Sequence, residues 1–266
     1  MNSSKANREP PLSRQGRPRS VWYEKFIVEE RFVSAHTRRK LYATSAILGA
    51  TGLVFFLALL IGVVTETGFH RMDQPVTTWF VSQRSPAMTG AMTVLDIIFG
   101  PVGLPVIVLS IVVLWTILAK HAWRPLLLAA GIATGLLTSQ VIIFTVQHPR
   151  PPVDLMLNGP LTTFSFPSGH VLNASDLLLI LAYLIGSRLR KRVITILLFL
   201  LAAAGIVAQM VCRIYLGYHW ISDATASVAL SLVVLAGVIA VDTARTVRVP
   251  GEPVEGKRSR IQVDGT

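Results

Sequence analysis

Charge is scarce in this sequence and cysteine is nearly absent. Asp, Glu, Lys and Arg together make up 15% of the 266 residues, whereas hydrophobic side chains make up 52%. That balance excludes an ordinary soluble enzyme and points to an integral membrane protein. The single cysteine, Cys212, rules out an intramolecular disulfide and argues against a cysteine-ligated structural zinc. Acidic residues are fewer than basic ones, 14 against 25, for a net charge of +11. A secretory signal would have a shorter basic region and an apolar core of about 7–15 residues, which the first apolar run does not resemble. The apolar run from Leu41 to Val64 instead has 24 residues, enough to cross a hydrocarbon layer that needs roughly 20. It reads as an uncleaved anchor.

What is present is a series of such runs. Five more spans are expected near Val102–Ala119, Pro125–Val146, Val171–Ser187, Val193–Cys212 and Trp220–Val241. Between the first two spans, Met72 to Phe99 places Val76, Trp79, Phe80, Met88, Met92 and Leu95 at helical spacing among polar residues, as helices lying at a membrane surface do. The predicted fold is therefore all-α, an integral membrane six-transmembrane-helix bundle with short interfacial helices in the first outer loop. Its organisation is a basic, mostly disordered tail over 1–40 that becomes helical near Val21 to Val33, a six-span domain over 41–242, and a polar tail over 243–266.

An even number of spans puts both ends on one side, and the basic residues choose that side. Ten Lys and Arg lie in residues 1–40, two at Lys120 and Arg124, four between Arg188 and Arg192, and five from Arg245 onward. The opposite side keeps only Arg71, Arg84, Arg150 and Arg213. The net charge is thus a topology signal with cytoplasmic termini, and no nucleic-acid partner is expected. The expected location is the plasma membrane, as a multi-pass protein.

This map brings three polar runs to the outer ends of the helices: His148-Pro149-Arg150-Pro151, Pro167-Ser168-Gly169-His170, and Arg213 to Asp223. Gly169 and His170 open a span, so free backbone N–H groups and the positive end of the helix dipole face outward, a ready anion site. Ser168 either adds a hydroxyl to that site or merely caps the helix. His219 and Asp223 are four residues apart and share a helix face. Such a pair is either structural or a nucleophile whose tautomer the carboxylate fixes. Arg150 and Arg213 lie against the positive-inside trend, and guanidinium groups bind phosphate oxygens bidentately.

These runs resemble the three signature motifs of the type-2 phosphatidic acid phosphatases, the lipid phosphate phosphatases, over roughly Asp73 to Asp242. That family's pattern is a lysine, six residues and Arg-Pro; then Pro-Ser-Gly-His; then Ser-Arg, five residues, His, three residues and Asp. The second motif is intact, and the third is matched by Arg213, His219 and Asp223 with Cys212 in place of the serine. The first is matched by Arg150-Pro151, but Ile143 stands where the lysine would be.

The resemblance implies that His219 attacks the phosphorus, Asp223 orients it, and His170 protonates the leaving oxygen. Arg150, Ser168, Gly169 and Arg213 would hold the phosphate, and His148 is expected to supply the charge missing at Ile143. No cofactor and no metal are expected, because the outer face shows no other cluster of histidines and carboxylates. Asp96 and Asp176 are acids in or near spans and are functional suspects by position. The expected partner is a lipid phosphate or pyrophosphate, an isoprenoid carrier or a phosphatidyl phosphate, at the outer leaflet. The rival expectation is a protein that binds or transports such a lipid without turning it over, with Ile143 as its supporting feature.

Overall fold

The structure, a computed structural model, describes residues 25–189, 191–253 and 259–261. Among them are eight α-helices: α1 (Ala35–Val64), α2 (Asp73–Ser82), α3 (Pro86–Ile98), α4 (Gly103–Leu118), α5 (Trp123–Val146), α6 (Gly169–Leu189), α7 (Arg192–Tyr215) and α8 (Ile221–Thr246). The all-α membrane fold expected from the apolar runs is the fold observed. Five of the helices are long and apolar enough to cross a membrane, and the pair α3 and α4, bent by 49° at Phe99 to Val102, makes a sixth crossing if taken together. The break follows from Gly100-Pro101 and Pro105, since proline cannot donate to the helix ladder. Helix α2 is the expected short helix of the loop between the first two spans, whereas α3, expected beside it, is instead the first half of the bent pair.

Helix α1 begins six residues before the apolar run, because Ser34 caps it by accepting from the Thr37 N–H. It runs along α8, and small residues permit the approach: a Cβ on Gly52 would come within 2.6 Å of the Ala229 carbonyl oxygen. The central helix is α6, packed on α5, α7 and α8 and the most enclosed of the spans. The core between these four is built on Leu128, Ile132, Ile180, Leu184, Ile206, Leu235 and Ile239, with Asp176 among the few polar side chains buried within it.

The segment expected to become helical near Val21 to Val33 is different. Residues 21–24 lie outside the described residues, and Val28–Phe32 forms a strand, β1. It pairs in parallel with β2 (Val247–Arg248) on one side and β3 (Ser259–Ile261) on the other. Alternation within the strand drives this: Val28 and Glu30 are buried while Glu29 and Arg31 are partly exposed, and buried Glu30 is neutralised by Arg248 at 2.8 Å. The amphipathic spacing fits a period of two here, and a partner strand decided between the two readings.

Candidate active site

The three polar runs converge at one end of the bundle. Helix α5 ends at Gln147, whose backbone is left-handed with φ 54°, and the chain turns there into His148-Pro149-Arg150. Helix α6 starts at Gly169, with Leu172 N–H donating to the Ser168 carbonyl at 2.9 Å. Ser168 is therefore at the capping position, yet its buried hydroxyl makes no hydrogen bond among the described residues. A purely structural cap would have used that oxygen for a backbone N–H.

The third run turns between α7 and α8 on Gly217, whose φ is +81°. A Cβ there would collide with the carbonyl oxygen of Leu155. Arg84 holds the same turn from outside, its guanidinium donating to the Tyr215 carbonyl at 2.8 Å and the Leu155 carbonyl at 2.7 Å. This turn aims Tyr218 and His219 inward, both of them buried. Gly217→Ala is thus expected to cost more than about 1 kcal/mol through its positive φ alone. Thermal unfolding in detergent should show the loss, and turnover should fall with it.

His219 is clamped from both sides. Its Nδ1 lies 3.4 Å from Asp223 Oδ2, and Arg150 Nη1 lies 3.1 Å from its Nε2. A guanidinium can only donate, so Nε2 carries the lone pair and Nδ1 the proton. Burial, and then the charges of Arg150 and Arg213, push the His219 imidazolium down to about 4 against the pull of Asp223. Arg150 itself is pushed down to about 10, first by burial and next by the like charge of Arg213, and so stays charged. It is fixed by Thr163, through the carbonyl at 2.8 Å and Oγ1 at 3.0 Å, and by the Tyr218 carbonyl at 2.7 Å.

Asp223 is fully buried and shared by two imidazoles. Its Oδ1 accepts from His148 at 3.2 Å and Ser165 at 3.3 Å, while Oδ2 faces His219 and accepts the Trp220 N–H at 2.9 Å. His148, expected among the phosphate ligands, is thus placed with Nδ1 on Asp223 and Ser165. Its position in the chain next to Arg150 did not reveal this, because the left-handed Gln147 turns its ring toward the protein.

Arg213 stacks 4.5 Å over the Tyr218 ring and is ion-paired with Asp96. The same Asp96 Oδ1 lies 3.5 Å from His170 Nε2. Asp96 therefore occupies the space between Arg213 and His170 with a negative charge, a role that its 117-residue separation from Arg213 hid from sequence reading. Cys212 donates through Sγ to the Met92 carbonyl at 3.2 Å and packs away from the site. Ile143 is partly buried on α5. Of the cations at this end of the bundle that could replace a lysine there, Arg84 is committed to the Gly217 turn. Asp176 is buried mid-bundle against Gly135, away from the histidines. Alongside the site, His70 and Asp73 come together with His148, a cluster the linear sequence did not reveal.

Comparison with known proteins agrees with this arrangement. The profile of the PAP2 superfamily matches residues 124–246, which include all three runs. A curated relative, phosphatidylglycerophosphatase B of Bacillus subtilis strain 168, is 26% identical over 188 residues, covering 68% of this chain and 88% of its own length. A crystal structure of a transmembrane PAP2-type phosphatidylglycerolphosphate phosphatase from Bacillus subtilis aligns with a TM-score of 0.64 at 24% identity. That alignment covers 72% of this chain and 96% of the other, and it shows a shared fold.

Proposed function

We propose that this chain, which belongs to the PAP2 superfamily, is a membrane lipid phosphatase working through a phosphohistidine. The observation that carries the reading is the clamped His219, neutral, with its Nε2 lone pair directed at the arginine that would hold the phosphate. A nucleophile needs that tautomer and that protonation state.

In the first step His219 Nε2 attacks phosphorus and the bond to the lipid oxygen breaks, with His170 giving that oxygen its proton. In the second, water attacks phosphorus and the phosphorus–nitrogen bond breaks, the water's proton passes to His170, and phosphate leaves with His219 restored. Arg150, Arg213, the Ser168 hydroxyl and the Gly169 N–H hold the three non-bridging oxygens, where charge builds in the transition state. Arg213 must exchange Asp96 for the phosphate, so Asp96 keeps the cations paired while the site waits. His148 acts on Asp223 and not on the phosphate. No step calls for a metal.

The substrate class is a phosphatidyl phosphate or an isoprenoid carrier phosphate or pyrophosphate, and the first is supported by the curated relative's name, phosphatidylglycerophosphatase B. The site opens at the outer leaflet and both termini are cytoplasmic, a reading supported by the crowding of basic residues at the other ends of the spans. One experiment tests activity and orientation together. A short-chain phosphatidyl phosphate added outside right-side-out vesicles should release phosphate into the medium, and the same substrate outside inverted vesicles should not. Release from inverted vesicles alone would reverse the orientation. Release from neither, with an isoprenoid phosphate also inert, would leave the binding-protein reading standing.

A further inference from the structure

A second group of side chains lies beside the catalytic pair and touches it only through the bond from His148 to Asp223. His70, in the 3-10 turn Gly68–Met72, Asp73 at the start of α2, and His148 each offer one ligand atom, and these atoms lie within 4.8 Å of one another. They face a cavity of about 410 Å³ that is also lined by Glu66, Arg71 and Gln74. His70 Nδ1 lies 2.9 Å from Asp73 Oδ2 but makes no hydrogen bond. Two donor atoms aimed at a common third atom would sit in this way.

The surroundings are built as a metal site's outer shell is. Asp73 is held by Ser222, through its N–H at 2.9 Å to Oδ1 and its hydroxyl at 2.7 Å to Oδ2. His148 has Nδ1 on the Asp223 carboxylate, leaving Nε2 as its ligand atom. A metal-binding imidazole characteristically gives its other N–H to a carboxylate, which fixes the tautomer and raises the ligand's basicity. Two imidazoles and one carboxylate with an open position suit zinc. In a tetrahedral site with metal–ligand bonds of about 2.0–2.2 Å the ligand atoms lie roughly 3.3–3.6 Å apart, so the widest pair of the cluster closes by about an ångström when zinc binds.

We infer that His70, Asp73 and His148 form a zinc site that acts on the catalytic pair through Asp223. Because Asp223 gives Oδ1 to His148 and Oδ2 to His219, the two imidazoles compete for one carboxylate. Zinc on Nε2 of His148 makes its Nδ1–H a stronger donor and draws the charge of Asp223 away from His219. The nucleophile becomes less basic, and zinc acts as an inhibitor. The inhibitory part rests on the proposed function, whereas the binding part does not.

Binding is tested by equilibrium dialysis of the purified full-length protein in detergent against zinc chloride, followed by metal analysis. One zinc per chain is expected, with His70→Ala and Asp73→Asn each weakening binding by at least about 10–100-fold. His70→Cys, which restores a ligand atom, should recover most of it and guards against a misfolded alanine variant. Equal zinc uptake by the natural chain and both ligand variants, or no uptake by the natural chain, would overturn the site. In turnover assays zinc should lower kcat of the natural chain with little change in KM, and His70→Ala should be insensitive. Site-dependent zinc binding in a protein without turnover would sink the phosphatase reading alone. Turnover without site-dependent binding would sink the zinc site alone.

Discussion

His219→Ala is expected to reduce phosphate release by about 10⁴–10⁶-fold, the loss seen when a covalent nucleophile is removed. It should also leave no covalently held phosphate on the chain after a rapid alkaline quench, a condition under which phosphohistidine survives. The reasoning is positional. Nε2 is the one imidazole lone pair that the structure aims at Arg150, and it is kept unprotonated by burial and by two guanidinium charges. With the imidazolium pushed down to about 4, the fraction of neutral His219 is nearly constant across the neutral range. Protonation of the nucleophile therefore sets no limb of the profile in that range, and any fall just below neutrality must come from another group. A variant that still traps labelled phosphate would mean that a different side chain is attacked.

The next largest effect is expected from Asp223→Asn, a change of one atom in a buried carboxylate. An amide can donate as well as accept, so it can meet His219 Nδ1 with an N–H and force the imidazole into the wrong tautomer. For an orienting aspartate in hydrolases of another class, that substitution costs about 10⁴ in kcat. The loss should be of similar order here, with substrate binding retained, because Arg150, Arg213 and Ser168 do not depend on Asp223 for position. Vanadate binding by the variant, beside its absence of turnover, makes that distinction. If the Asp223→Asn protein kept more than roughly a tenth of the natural rate, against the ~10⁴-fold loss expected, the carboxylate would serve the fold only.

How much of this was written in the linear sequence depends on how far apart the interacting residues lie. The pairing of His219 with Asp223 follows from helical spacing, and the helix start at Gly169 follows from where an apolar run begins. Both are local, and both were legible. Five of the spans were legible for the same reason, because each is one continuous apolar run; the one expected near Val102–Ala119 makes a crossing only together with α3, across the break at Gly100-Pro101. The partnership of Asp96 with Arg213 and His170 was not, since nothing in the run from Met92 to Gly100 marks which face meets α7. His148 was assigned by proximity to Arg150, but a residue beyond a left-handed cap points where the turn sends it, and here that is Asp223. The cluster of His70 and Asp73 with His148 joins loops far apart in the chain, held by Ser222 from a third segment. The strand Val28–Phe32 has its partners at the other end of the polypeptide, which no local pattern could supply.

The packing of α1 on α8 bears on how the protein is made. The chain is made in sequence order, so α1 enters the bilayer long before Ala229 exists to receive Gly52. During that interval it must stand alone among lipids. Its apolar residues are spread around the whole circumference, with most of its surface turned outward even in the finished bundle, so a solitary wait carries little penalty. Helix α6 is the opposite case, with Asp176 and Ser175 enclosed by neighbours, and it needs company on arrival. Helix α5 precedes it and supplies Gly135 against Asp176. The order of synthesis and the order of burial are thereby matched: self-sufficient helix first, dependent helix after its shield, and the closing of α8 and its strand onto the amino-terminal segment as the final act of assembly.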